Sequence, residues 1–67
     1  MYAILGNINN LPSYAHPCGS VYMIDKGAYM VMPLSVALQV MAMLQKEDQE
    51  CGTKKYADMK IGLVNQG

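Results

Sequence analysis

The sequence predicts a small α+β domain of order β-β-β-α-β, with one helix packed on a three- to four-stranded sheet. Three observations predict it. The chain has 67 residues, which is room for a single domain over residues 1–67. Short β-favouring runs bounded by Gly, Pro and Asn lie before residue 33 and again after residue 58. Between them, Leu34 to Cys51 repeats apolar residues at helical spacing and closes on Gly52.

The first strand is read at Tyr2-Ala3-Ile4-Leu5, stopped by Gly6-Asn7. After it, Asn7, Asn9, Asn10, Pro12, Ser13, Pro17, Gly19 and Ser20 recur densely enough to predict a long loop. A loop of that length in so small a domain is a candidate binding element. Val21–Ile24 and Ala28–Met32 flank Asp25-Lys26-Gly27, which reads as a bulged hairpin with a three-residue connection. Neither of these strands has a polar face, so the sheet asks for cover on both sides while the chain offers one helix.

That helix should begin at Pro33 or Ser35, since Pro suits a first turn and Ser can cap free amides. Gly52 supplies the stop. Leu34, Leu38, Met41 and Leu44 trace one apolar stripe; Val36, Val40 and Met43 trace a second. One stripe can rest on the sheet, and the other needs a different partner. The end, Gln45 to Glu50, is polar and should reach water. Gly52 to Lys55 is a connection. Met59, Ile61 and Leu63 then alternate with Asp58, Lys60, Gly62 and Asn65 in a last strand. A helical crossover here would set that strand parallel to the third.

Composition points to self-association. Apolar residues make up 52% of the chain and charged residues 15%, against about 25% charged in ordinary soluble domains. A single core of this size supplies about 3–5 kcal/mol, so apolar surface in excess of the core should meet another chain. The helix residues Val36, Val40, Met41 and Met43 are the expected oligomer interface. Five Lys balance five acidic residues, and Arg is absent, which argues against a partner made of duplex nucleic acid. Gly27 to Gln45 is uncharged and long enough to span a bilayer, but Pro33, Ser35 and Gln39 interrupt it, so a single-span membrane peptide is the lesser reading. The opening residues lack the basic, then apolar, pattern of an export signal, so Cys18 and Cys51 are expected as free thiols in the cytoplasm.

Candidate chemistry is sparse. His16 lies two residues from Cys18, and Cys51 makes a third ligand at most, where a structural zinc wants four; no metal is expected. The same pair as nucleophile and base lacks an orienting group and an oxyanion pocket, so no catalytic residue is assigned. Gly-rich phosphate loops and paired carboxylates are missing too, and no cofactor is implied. Five Tyr with no Trp or Phe favour surfaces that meet ligands. Tyr22, Tyr29 and Tyr56 suit strand packing, whereas Tyr14 and His16 sit in the long loop. A planar ligand stacked on Tyr14, with Lys54, Lys55 or Lys60 near its phosphate in a cleft between subunits, would use what the chain has. The Met residues Met30, Met32, Met41 and Met43 serve core and interface readings equally.

The sequence thus leads to a non-enzymatic, homo-oligomeric binding protein that captures a host protein or a small anionic, nucleotide-like ligand, as an inhibitor or sequestering protein would. In size and style it resembles the stand-alone accessory proteins of phages and other mobile elements. A small Cys/His enzyme is the alternative from another class.

Overall fold

In the computed structural model, which describes residues 1–64, β1 (Tyr2–Ile8) and β2 (Leu11–Ala15) form a hairpin turned by Asn9-Asn10. Both Asn residues take left-handed backbone angles, φ 53° and 66°. Asn tolerates that region better than most side chains, and a two-residue turn with both φ positive matches the twist of the strands it joins. The segment expected as one long loop therefore contains a strand. β3 (Val21–Met23) folds back on β2 through a turn at His16–Ser20. The His16 N–H donates to the Ser20 carbonyl at 2.7 Å, and the Gly19 N–H to the His16 carbonyl at 2.9 Å.

The expected strand over Ala28–Met32 does not form. Its turn has two central residues, Lys26 (φ 56°) and Gly27 (φ 73°), and closes on a single bridge between Asp25 and Ala28. β2 already occupies one side of β1 from Leu5 to Ile8. The start of β1 lies beyond that pairing, and there Met32 bridges to Tyr2 with reciprocal backbone bonds of 2.8 and 2.7 Å.

From Met32 the chain enters α1 (Leu34–Cys51), which packs on β1 and on β4 (Lys60–Leu63). β4 pairs with β1, Tyr2 opposite Leu63 and Leu5 opposite Lys60, giving the order β3-β2-β1-β4. Every pairing is antiparallel, which corrects the expected parallel crossover beside the third strand. The reason lies in where the helix starts. It leaves from the Tyr2 end of β1 and delivers the chain at the Leu5 end, so the returning strand runs against β1 along its free edge. Asn65, the last polar position of the expected alternation, lies outside the described residues.

One face of the sheet and the helix enclose the core of Ile4, Ala15, Met32, Ala37, Val40, Leu44 and Met59. The buried line of the helix, Ala37-Val40-Leu44, runs between the two expected stripes and takes one residue from each. Ala37 stands on this line, fully buried against the sheet. Leu34, Leu38 and Met43 are left exposed. Pro33 is the N-cap and no side chain caps the first turn, so Ser35 does not act there. Gly52 ends the helix in the left-handed conformation at φ 66°, with the Thr53 N–H bonded to the Asp48 carbonyl at 2.9 Å.

Gly6 lies where the chain returning to β4 crosses the sheet. A Cβ at this position would stand 2.5 Å from the Asp58 carbonyl oxygen and 2.7 Å from the Met59 Cα. No helix among the described residues is long and apolar enough to cross a membrane; the uncharged run from Gly27 is divided between an extended segment and the helix.

Candidate functional site

Asp48 organises the connection that carries the two expected lysines. Its carboxylate accepts hydrogen bonds from Thr53 Oγ1 at 2.8 Å, the Lys55 N–H at 3.1 Å and the Tyr56 N–H at 2.9 Å. One helix residue thus ties down the turn that follows the helix. Lys54 and Lys55 are held at the end of the sheet where the Asn9-Asn10 turn projects.

Asp58 closes the same region from the strand side. The register that pairs Leu5 with Lys60 places Asp58 opposite Asn7, and the Asp58 carboxylate takes the bond that a strand backbone would have made. It accepts the Asn7 N–H and the Asn7 Nδ2, each at 3.0 Å. These donors stabilise the charged form and hold the Asp58 carboxyl below its ordinary value.

Asn7, Asn9, Asn10, Lys54, Lys55, Ala57 and Asp58 together line an open cleft of about 660 Å³. It offers two ammonium groups, the amides of Asn9 and Asn10, and one carboxylate already engaged by Asn7. The Lys55 ammonium also stands 5.2 Å from the centre of the Tyr56 ring. The hydrogen bond to Glu47, and burial after it, push the Tyr56 phenol above its ordinary value. Such a set can hold an anion by charge and a polar group by amide hydrogen bonds. A smaller hollow of about 220 Å³ adjoins it under β2 and β3, with Leu11, Met23, Lys55 and Tyr56 among its walls.

Tyr14 and His16 stand elsewhere. The pairings Leu5–Lys60, Leu5–Tyr14 and Tyr14–Tyr22 set Lys60, Leu5, Tyr14 and Tyr22 in one row across the sheet face away from the helix. The Tyr14 and Tyr22 rings are 5.8 Å apart, and His16 meets Tyr22 edge-on at 6.0 Å. The structure therefore brings Lys54 and Lys55 together in the cleft and Tyr14 and His16 together on this face, but does not join the two pairs.

His16 Nδ1 accepts the Cys18 N–H at 3.1 Å, so the backbone rather than the thiol engages it. The Cys18 thiol is free and exposed. It lies 3.5 Å from the Ser20 hydroxyl, whose hydrogen bond lowers its pKa. Cys51 is also an exposed free thiol. Among the described residues no group of three His, Cys, Asp or Glu is placed to hold a metal ion.

Of the expected interface residues, Val40 is 2% exposed and belongs to the chain's own core. Val36 and Met41 are half-buried at its margin, and Met43 is exposed with its methyl against Gly19. Reasoning from the sequence missed Asn7, Asn9, Asn10 and Asp58. The Asn9-Asn10 pair was the available signal, since it marks a hairpin turn as well as a loop. Comparison of the chain with known protein families, curated proteins and solved structures finds no match.

Proposed function

We propose that this protein is a non-enzymatic, homo-oligomeric binding protein that sequesters a small anionic, nucleotide-like ligand in the cleft between the Asn9-Asn10 turn and Lys54-Lys55. The observation that carries the reading is the convergence of two ammonium groups and two amide side chains on one open cleft of about 660 Å³, a volume in the range of small-molecule sites. The Asp58 carboxylate stays charged and opposes an anion, but Asn7 holds it in place with two hydrogen bonds and the two lysines leave the cleft lining with one positive charge in excess. Lys54 and Lys55 would neutralise phosphate, and the Asn9 and Asn10 amides would read polar edges of a base or sugar.

The exposed aromatic face supports a second role, contact with a host protein. Tyr14, Tyr22 and His16 form a cluster of the residue types that anchor interfaces.

Titrating ADP and, separately, inorganic phosphate into the labelled protein while recording backbone amide resonances tests the first role. ADP should move the amides of Asn9, Asn10, Lys54 and Lys55 saturably. Replacing both lysines by Ala should weaken binding at least about tenfold, or roughly 1.4 kcal/mol. Absence of saturable shifts at millimolar ADP, or shifts confined to the Tyr14 face, would reject the cleft as the ligand site.

A further inference from the structure

We infer that the free edge of β4 is the self-association surface, and that it pairs antiparallel with β4 of a second copy about a two-fold axis at Gly62. This rests on the homo-oligomeric part of the reading above and names the surface that part left open.

The backbone carries the argument. The Val64 N–H bonds to the Met1 carbonyl at 2.9 Å, and the register pairs Ala3 with Gly62 and Leu5 with Lys60. Antiparallel ladders alternate in direction, so Lys60, Gly62 and Val64 point their backbone groups at β1. Ile61 and Leu63 point theirs outward, where β4 has no neighbouring strand among the described residues. These free groups are two residues apart. A second β4 centred on Gly62 sets Ile61 against the partner copy's Leu63, and the reverse, satisfying two N–H and two carbonyl groups on each chain. Centring on Ile61 instead would set Leu63 opposite Met59, which lies outside β4, and leave Ile61 as the one outward-facing strand residue matched to a strand residue of the copy.

Side chains agree with this register. Gly62 meets its own copy at the axis, and a Cβ there would touch nothing within 4 Å in the single chain. Leu63, 72% exposed, lies on the helix side of the sheet opposite Tyr2. Met43 turns one flank of the helix toward Gly19, so the opposite flank, with Leu34 and Leu38 exposed at 43% and 56%, rises on the β4 side. Lys60 is the charged residue of the strand. In this register the two copies of Lys60 are four residues apart along the strands, roughly 14 Å, beyond the screening length of about 8 Å.

Size favours a copy that includes the helix. A standard interface takes about 800 Å² from each partner, about a sixth of the 4637 Å² that this chain exposes. Four strand residues are too few for that, so the exposed Leu34-Leu38 flank must contribute to the contact as well. The β3 edge is also open, but the helix packs on β1 and β4, so pairing there would bring no helix against its copy.

Three measurements on the full chain test the surface. Size-exclusion chromatography with light scattering should give about twice 7.4 kDa for the parent, and 7.4 kDa for a folded Leu63→Lys variant, while Met23→Lys on the β3 edge remains paired. Amide exchange at Ile61 and Leu63 should be slow in the pair and become fast on dilution. With Cys18 and Cys51 replaced by Ser, Gly62→Cys should oxidise to a covalent dimer, because opposed residues at such a position stand about 4.5 Å apart. A dimer whose Ile61 and Leu63 amides exchange freely, or that Gly62→Cys does not cross-link, would overturn this surface and leave the oligomeric reading standing. A monomeric parent would overturn both, while ADP binding in the cleft is read independently.

Discussion

Asn7 gives one backbone and one side-chain hydrogen bond to the same carboxylate oxygen, the backbone N and Nδ2 each lying 3.0 Å from Asp58 Oδ2. These two hydrogen bonds to one oxygen extend the β1–β4 ladder by one pair and fix the carboxylate at the wall of the cleft. The Asp58 carboxyl is held below its ordinary value, first by the Asn7 side chain and then by its backbone. A depressed folded-state pKa means that the folded chain binds fewer protons than the unfolded chain in that window. The stabilisation is therefore present above the unfolded value and is lost as pH falls through the folded one. Carboxyl resonances followed through an acid titration should show Asp58 titrating below a free Asp, and Asn7→Ala should move it back up. An unchanged value in that variant would refute the assignment.

Asp48 should behave as a structural residue of the cleft. Its three accepted bonds hold Thr53, Lys55 and Tyr56, and hydrogen bonds to an ionised group contribute about 1.5–3 kcal/mol when well shielded. Partial solvent access lowers that figure, so Asp48→Ala should cost roughly 1–2 kcal/mol, a fall of about 4–8 °C in Tm per kcal/mol for a domain of this size. Loss of ADP binding should accompany it, because Lys54 and Lys55 lose their support. Thermal melts and the ADP titration check both halves; weaker binding with an unchanged melt would place Asp48 on the ligand instead.

How far the sequence revealed this arrangement can be traced residue by residue. The helix and its Gly52 stop were legible because many apolar positions share one period. β2 was not, since its inward positions are Ser13 and Ala15 rather than large apolar residues, and Pro12 and Asn10 beside them read as loop. Pro12 is tolerated because the ladder toward β3 ends there, with only its carbonyl used, by the Ile24 N–H at 2.9 Å. Lys54 and Lys55 were legible as a pair of cations. Their meeting with Asn7, Asn9 and Asn10 depends on the β1–β4 register, which no local pattern encodes.

Two glycines in neighbouring strands should respond differently to the same change. At Gly6 an added methyl meets the Asp58 carbonyl and the Met59 Cα, backbone atoms that cannot swing aside. Gly6→Ala should cost about 1–3 kcal/mol as overpacking does. At Gly62 the methyl meets nothing within 4 Å, and Gly62→Ala should leave the melting of the dilute single chain within about 0.5 kcal/mol of the parent. Denaturant unfolding of both variants decides the matter; equal losses would contradict the close crossing at Gly6.

The aromatic face should be separable from the fold. Tyr22 is 49% exposed, and an aromatic pair contributes about 0.5–1.5 kcal/mol beyond burial. Replacing Tyr14 and His16 together by Ala should lower stability by about that amount and leave ADP binding in the cleft unchanged. A protein partner captured through this face should be lost. Failure of the double variant to fold would show that Tyr14 and His16 act as packing for the sheet.

The helix offers the sharpest contrast between a core residue and a partner-facing one, because Val40 is 2% exposed and Leu38, two positions earlier, is 56% exposed. Val40 packs within its own chain beside Ile4, Ala37 and Leu44. Cutting it to Ala removes two methyl groups and leaves a cavity, which should cost roughly 1.5–3 kcal/mol. That loss is internal, so Val40→Ala should lower the midpoint by the same amount at every protein concentration. Leu38→Ala removes a larger side chain that touches little within its own chain. Its effect should vanish in dilute samples and grow with concentration, since a second copy stabilises the folded state only by mass action. Melting curves over a hundredfold range of concentration distinguish the two patterns. Identical, concentration-independent losses for both variants would mean that Leu38 is a core residue of the single chain and contributes nothing to pairing.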